Sequence, residues 1–135
     1  MQNSDTFDII IVGGGMVGAA LACALDNASY HVALIDSAPN TSTDDPRLIA
    51  LNYGSYCLLK NLAIWPRLAE HATAIQQVHV SHAGHFGKTR FLASDYHISA
   101  FGYVVYASKL LALLRQATQQ KATIKWLCPA KFPGP

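Results

Sequence analysis

After a polar start, residues 7–12 read Phe-Asp-Ile-Ile-Ile-Val. A short β-branched run of this kind is the pattern of a strand buried on both faces, whose natural host is a parallel sheet. Gly13, Gly14 and Gly15 break the run. Residues 16–28 then form a small-residue apolar segment of helical length, ending at Asn27, Ala28 and Ser29, and residues 31–35 read as a second strand. Strand, tight turn, helix and strand in close succession make a βαβ unit, whose right-handed crossover lays the helix against a parallel sheet. The predicted fold class is therefore α/β, with a Rossmann-like βαβ core and a parallel sheet.

Beyond this unit the pattern is coarser. Residues 37–46, rich in Pro, Ser, Thr, Asn and Asp, predict a loop. Residues 53–62 predict a helix, residues 75–81 alternate as a strand does, and Gly84 and Gly87 mark a turn. Residues 102–106 predict another short strand. Leu110, Leu113, Leu114 and Ala117 recur at the spacing of a helical face beginning near Ser108, and residues 123–127 predict a last strand. No internal repeat or low-complexity tract interrupts the chain.

With 51% hydrophobic and 13% charged residues, the composition is that of a packed globular protein and excludes a disordered one. The formal charge is only +2, but Asp5, Asp8, Asp26, Asp36, Asp44 and Asp45 all precede Arg47, the first of the ten Lys and Arg. The basic residues are spread singly, as on a solvated surface, and predict no nucleic-acid partner. Cys23, Cys57 and Cys128 have no paired spacing, which suits a reducing compartment, with the cytoplasm as the default. The apolar stretch at residues 9–25 carries four glycines and no positive flank, so it reads as strand, loop and helix rather than as a signal peptide or membrane span.

Gly13-Gly14-Gly15-Met16-Val17-Gly18 fits the GxGxxG spacing, with the small Ala22 four residues further on. Gly13 permits the tight turn, Gly15 lets the backbone approach a pyrophosphate, and Gly18 lets helix and strand come close. The unpaired N–H groups at the helix start attract the anion. Asp36 follows the second strand, eighteen residues after Gly18, where a carboxylate accepts hydrogen bonds from an adenosine ribose and disfavours a 2′-phosphate. The motif does not distinguish NAD from FAD, because both present the same ADP moiety. The candidate cofactor-binding residues from the pattern are Gly13, Gly14, Gly15, Met16, Val17, Gly18 and Asp36.

Other constellations are weaker. His79, His82 and His85 are spaced three apart, but on a strand such residues point to opposite faces, so no metal site is expected. Cys57 has no acid or histidine pattern beside it and reads as an inert buried thiol. Tyr103 and Tyr106 read as ordinary sheet residues rather than a flavin border. No catalytic side chain is assigned.

The sequence around the glycine motif, Asp8 to Val12 with Gly13 to Gly18, followed by Asp45-Pro46-Arg47-Leu48-Ile49-Ala50-Leu51-Asn52, resembles the FAD-dependent aromatic hydroxylases, a flavoprotein monooxygenase family. Ile64-Trp65-Pro66, Val78-His79-Val80-Ser81, Gly84-His85, residues 93–96 and Gly102-Tyr103-Val104-Val105 are similar to its ubiquinone-biosynthesis branch. The resemblance implies FAD held by Gly13, Gly15 and Gly18 at the pyrophosphate and by Asp36 at the ribose, with Arg47 near the flavin. It also implies NAD(P)H as electron donor, oxygen as co-substrate and a polyprenylated phenol as substrate. The flavin does the redox chemistry, so the protein needs no nucleophile of its own.

Such a protein would work in the cytoplasm or at the inner membrane face, peripherally or within a multi-enzyme assembly. Where the family carries a flavin-contacting Gln or Arg after the Gly-x-Val-Val strand, this chain has Tyr106-Ala107-Ser108-Lys109. Further cofactor motifs of the family would lie beyond Pro135. Residues 1–135 therefore read as the N-terminal part of an FAD-binding domain, truncated before the substrate domain, with a separately encoded C-terminal part as one partner. The alternatives are a non-catalytic NAD- or ADP-binding module and an inactive truncated remnant.

Overall fold

A computed structural model describes residues 6–26, 30–38, 45–84 and 86–130. In chain order its strands and α-helices are β1 (Ile9–Val12), α1 (Met16–Asp26), β2 (Val32–Ile35), β3 (Leu48–Asn52), α2 (Tyr53–Asn61), α3 (Trp65–Leu68), β4 (Ala72–Ile75), β5 (Gln77–Ser81), β6 (Lys88–Leu92), β7 (Gly102–Tyr106), α4 (Ala107–Gln119) and β8 (Ile124–Leu127). They fall into two compact units, Met1–Pro46 with Ser108–Pro135, and Arg47–Ala107.

The first unit is the predicted parallel sheet, in the order β1-β2-β8. Ile9 pairs with Val32 and Val12 with Ile35, while Val32 pairs with Ile124 and Ile35 with Leu127. β2 is central, and all four of its residues are buried, as an unbroken Val-Ala-Leu-Ile run requires. Ile11, Ala22, Val32, Leu34 and Ile124 form the core, with Ile9, Leu25 and Trp126 packed against it. Ala22 is fully buried there because only a methyl group fits where α1 approaches the sheet.

β1 corrects the expectation of a strand buried on both faces. It begins at Ile9 rather than residue 7, and among the described strands it pairs with β2 alone. Ile9 and Ile11 face the core, but Ile10 is 53% and Val12 63% exposed on the opposite face. The end of the predicted helix at residues 27–28 and most of the predicted loop lie outside the described residues.

An ion pair ties the elements of this sheet together. Asp26 ends α1, where the helix dipole disfavours an acid, yet Lys121 Nζ lies 2.7 Å from its carboxylate and the Thr123 hydroxyl donates to it. The Thr123 carbonyl in turn accepts from Val32 N at 2.8 Å, so the turn before β8 is fastened to both α1 and β2. The hydrogen bonds from Lys121 and Thr123 hold Asp26 below its ordinary pKa, and the same pair raises Lys121. Nearby Cys23 is buried, which pushes its thiol up despite the lysine.

The second unit is antiparallel, which the sequence pattern did not indicate. Its sheet runs β3-β7-β4, with Leu48 opposite Tyr106, Asn52 opposite Gly102 and Ile75 also opposite Gly102. Gly102 is required here, because a Cβ would fall 2.1 Å from the Leu51 carbonyl oxygen. Asn52 caps α2 by accepting from Ser55 N at 2.8 Å. Tyr56, Trp65 and Tyr103 form an aromatic cluster with ring centroids 4.5 to 5.0 Å apart in tilted and edge-on arrangements.

The strand expected at residues 75–81 is two strands in two sheets. β4 ends at Ile75 on β7, Gln76 turns, and β5 pairs with β6 as a separate hairpin. Neither β3 nor β6 was anticipated. Lys88-Thr89-Arg90-Phe91-Leu92 has too little apolar alternation to announce a strand, and pairing with β5 makes it one. Among the described residues, no helix is long and apolar enough to cross a membrane.

Replacing Asp26 with Ala should lower stability by about 1–2 kcal/mol in denaturant unfolding at pH 7, the scale of lost charge-assisted hydrogen bonds on a partly exposed pair. The depressed acid contributes stability that is present above its ordinary value of 3.8 and lost as pH falls through the lower folded value. The raised Lys121 contributes stability that is fully present below 10.5 and lost as pH rises through its higher folded value. The difference between wild type and Asp26→Ala should therefore be flat between these limits and shrink at both ends. A difference that grew on acidification would contradict this.

Candidate functional site: the glycine-rich turn

β1 delivers the chain to the turn at its C-terminal end. Gly13 N donates to the Ile35 carbonyl at 2.8 Å, extending the parallel ladder by one residue. Gly13 then turns the chain at φ +112°, a conformation that favours glycine. Helix α1 starts at once, with Ala19 N donating to Gly15 O at 2.9 Å. In such a start the N–H groups of Met16, Val17 and Gly18 have no acceptor within the helix, and they mark its positive end.

The four glycines divide into two pairs. Gly14 and Gly18 are buried, whereas Gly13 and Gly15 are exposed. A Cβ on Gly18 would lie 1.9 Å from Gly13 O and 3.3 Å from Ile11 Cγ2, so its absence lets α1 close onto β1. Around a Cβ on Gly13 or Gly15 there is nothing within 4 Å, which leaves an open cradle over the turn. Gly13 thus makes the tight turn and Gly18 the close packing of helix on strand, while Gly15 stands open at the start of α1.

Asp36 immediately follows β2 and sits beside this turn. Its Oδ2 accepts from Gly14 N at 2.8 Å and its Oδ1 from Ala38 N at 2.9 Å. The Gly14 amide is therefore committed to holding the acid, and the donors facing the cradle come from the residues after it. Each carboxylate oxygen retains capacity for another hydrogen bond. The Asp36 backbone is also fixed, its N donating to Leu127 O at 3.2 Å and its O accepting from Ala130 N at 2.8 Å.

Two neighbours of this site had no signal in the sequence. Trp126 of β8 brings its six-membered ring against Gly14, where a Cβ would fall 2.6 Å from Cζ3. The Cys128 thiol donates to the Ala38 carbonyl at 2.6 Å. Both residues lie more than 100 positions downstream of the turn, and nothing local in the chain announces such contacts.

The remaining candidates belong to the second unit. Arg47 opens the second unit and is exposed, and its carbonyl accepts from Ala107 N at 2.9 Å. β7 passes directly into α4 at Ala107, with no intervening polar loop, in keeping with the short Tyr106-Ala107-Ser108-Lys109 sequence. Tyr106 is exposed at the end of β7. His79 lies opposite Arg90 in the β5–β6 hairpin, whereas His85 lies outside the described residues. Cys57 is half-buried rather than buried.

A βαβ unit with a glycine-lined turn and an acid after the second strand defines a Rossmann-like nucleotide-binding fold. The NAD(P)-binding Rossmann-like domain family matches residues 11–70. Superposition on PqsL, a probable FAD-dependent monooxygenase from Pseudomonas aeruginosa, gives a TM-score of 0.74 at 18% identity, covering 91% of this chain and 33% of that one.

In sequence, the chain is 27% identical over 139 residues to the ubiquinone biosynthesis monooxygenase COQ6 of Dictyostelium discoideum, covering 86% of this chain and 28% of the relative. It is 41% identical over 70 residues to the 3-demethoxyubiquinol 3-hydroxylase of Escherichia coli, covering 48% of this chain and 18% of the relative. The chain is thus similar in sequence to ubiquinone-biosynthesis hydroxylases and in fold to a flavin-dependent monooxygenase. It spans less than a third of the length of these relatives.

Gly18→Ala should force α1 off β1 and destabilise the first unit by about 1–3 kcal/mol or more, the usual scale of overpacking. Gly15→Ala, whose Cβ points into open space, should change stability by less than about 1 kcal/mol. Thermal melts of the two variants test the division, and equal losses would overturn it.

Proposed function

We propose that this chain is the FAD-binding portion of a flavin-dependent monooxygenase that hydroxylates a polyprenylated phenol in ubiquinone biosynthesis, using NAD(P)H and oxygen. The observation that carries the reading is the open turn over Gly13 and Gly15 with the Asp36 carboxylate locked beside it. An ADP moiety fits this arrangement. The first-turn amides of α1, from Met16, Val17 and Gly18, face the pyrophosphate, and the free lone pairs of Asp36 accept from ribose hydroxyls. By the family resemblance, Arg47 is the candidate cation for the flavin side of the cofactor.

When bound, the flavin supplies the redox chemistry, accepting electrons from the nicotinamide donor and activating oxygen. The residues of this chain bind and orient. Gly13 and Gly15 leave space for the phosphates, Gly18 seats the helix whose dipole faces them, and Asp36 selects a nucleotide with a free 2′-hydroxyl. A carboxylate there repels a 2′-phosphate by like charge. A water-insoluble substrate suits a protein at the membrane face that does not span it, alone or within an assembly. The reading of FAD over NAD rests on the monooxygenase relatives, since the turn itself recognises only what the two cofactors share.

Titration of the purified chain with FAD, followed by flavin fluorescence, should show saturable binding that NAD displaces poorly. Asp36→Ala should weaken it about tenfold or more, the equivalent of one or two charge-assisted hydrogen bonds. ADP should bind at least about tenfold more tightly than its 2′-phosphorylated form, as expected for like charges brought together. A folded chain that binds no FAD would sink this reading, and preferential retention of NAD would favour a non-catalytic nucleotide-binding module.

A further inference from the structure

We propose that Trp126 is a positioning residue of the nucleotide site, holding the Gly14 amide and the Asp36 carboxylate in the geometry that receives the adenosine ribose. The proposal rests on the nucleotide-binding reading of the turn and adds a residue to it.

Trp126 lies opposite Leu34 in the parallel pairing of β2 with β8, and it packs on the core cluster that α1 also covers. Its ring edge reaches the turn. A Cβ on Gly14 would sit 2.6 Å from Trp126 Cζ3, 3.0 Å from its Cη2 and 2.8 Å from Asp36 Oδ2. The indole edge and the carboxylate therefore both crowd the side of Gly14 where a Cβ would stand, while the Gly14 amide bonds to that carboxylate. The indole edge fills the space beside Gly14, and the Gly14 amide holds Oδ2 in place.

The indole is itself anchored from α4. Its Nε1–H donates to Thr118 Oγ1 at 3.0 Å, and the fully buried Thr118 hydroxyl spends its single proton on the Arg115 carbonyl at 2.8 Å. The Arg115 guanidinium lies 5.8 Å from the ring centroid, within cation–π range. A side chain held by a hydrogen bond, a cation and the apolar core has one rotamer available. This arrangement runs from α4 through Trp126 to the Gly14–Asp36 bond, so the ribose-binding acid is oriented by a residue 90 positions away in the chain.

Removing the wall frees the Asp36 carboxylate to adopt other rotamers, and the nucleotide must then bear the cost of ordering it. The effect should appear in affinity as well as in stability. It should also appear in the light emitted by Trp126, because a ribose bound at Asp36 changes the surroundings of the adjacent indole.

The test uses ADP, the moiety common to both cofactors, with the full chain. Calorimetry on wild type, Trp126→Phe and Trp126→Leu gives the affinities. In a Trp65→Phe background, Trp126 is the only indole, so its fluorescence can be followed as ADP is added. The expected results are ADP binding weakened about tenfold in Trp126→Leu and less in Trp126→Phe, which keeps an aromatic wall but loses the anchor on Thr118. Trp126 emission should change with the same midpoint as the calorimetric curve. Wild-type affinity in both variants, or an emission unmoved at calorimetric saturation, would overturn the proposal and leave the nucleotide reading intact. Absence of ADP binding by the folded wild-type chain would overturn both. The fluorescence arm keeps Trp126 in place, so an unmoved emission overturns the proposal even where a Trp126 variant is too unstable to titrate.

Discussion

The hydrogen bond from the Gly14 amide to the Asp36 carboxylate joins the two halves of the βαβ unit at the one point where both strands have ended. It depends on several things at once. β1 and β2 must be in register so that Gly13 bonds to Ile35, Gly14 must lack a side chain, and α1 must start close enough to β1 to seat Gly18 against Gly13. The cradle above the turn exists because these conditions are met without any side chain filling the space over Gly13 and Gly15. A charged group this close to backbone amides is held by charge-assisted bonds, which are about twice as strong as neutral ones.

The same unit uses a second acid in a different way. Asp26 stands at the wrong end of α1 for the helix dipole, and Lys121 with Thr123 offset that by bridging it to the turn before β8. One acid therefore fastens the C-terminal end of α1 to the third strand, while the other fastens its N-terminal side to the second. The Gly14 bond spans 22 positions of the chain and the Thr123 bond 97, so the latter ties the last strand to the first helix. Trp126 on that strand then reaches the glycine turn, so the strand that completes the core also shapes the site.

The second unit shows where sequence patterns lose their grip. The helix at α2 was legible, because it is a local element, and the strand β7 was legible from its Gly-Tyr-Val-Val-Tyr run. The strands β3 and β6 were not. Leu48-Ile49-Ala50-Leu51-Asn52 does not alternate, and Lys88-Thr89-Arg90-Phe91-Leu92 is largely polar. Both become strands because a partner strand takes up their backbone groups. The split at Gln76 has the same origin: two neighbouring stretches of one alternating run found different partners.

The sequence by itself determined the βαβ unit, the glycine turn and the acid after the second strand, because each follows from short-range chemistry. Glycine is the residue suited to the turn at positive φ and to the close approach of helix to strand, and an unbroken apolar run suits a central strand. Even there, the sequence overstated the burial of β1, since a run of isoleucines shows an affinity for apolar surroundings but not how many neighbours a strand has. Only the tertiary structure decided that Gly14 holds Asp36, that Trp126 walls them in, and that the second unit is antiparallel. These depend on which distant segments meet, and no local pattern of residues encodes the identity of a partner 90 positions away.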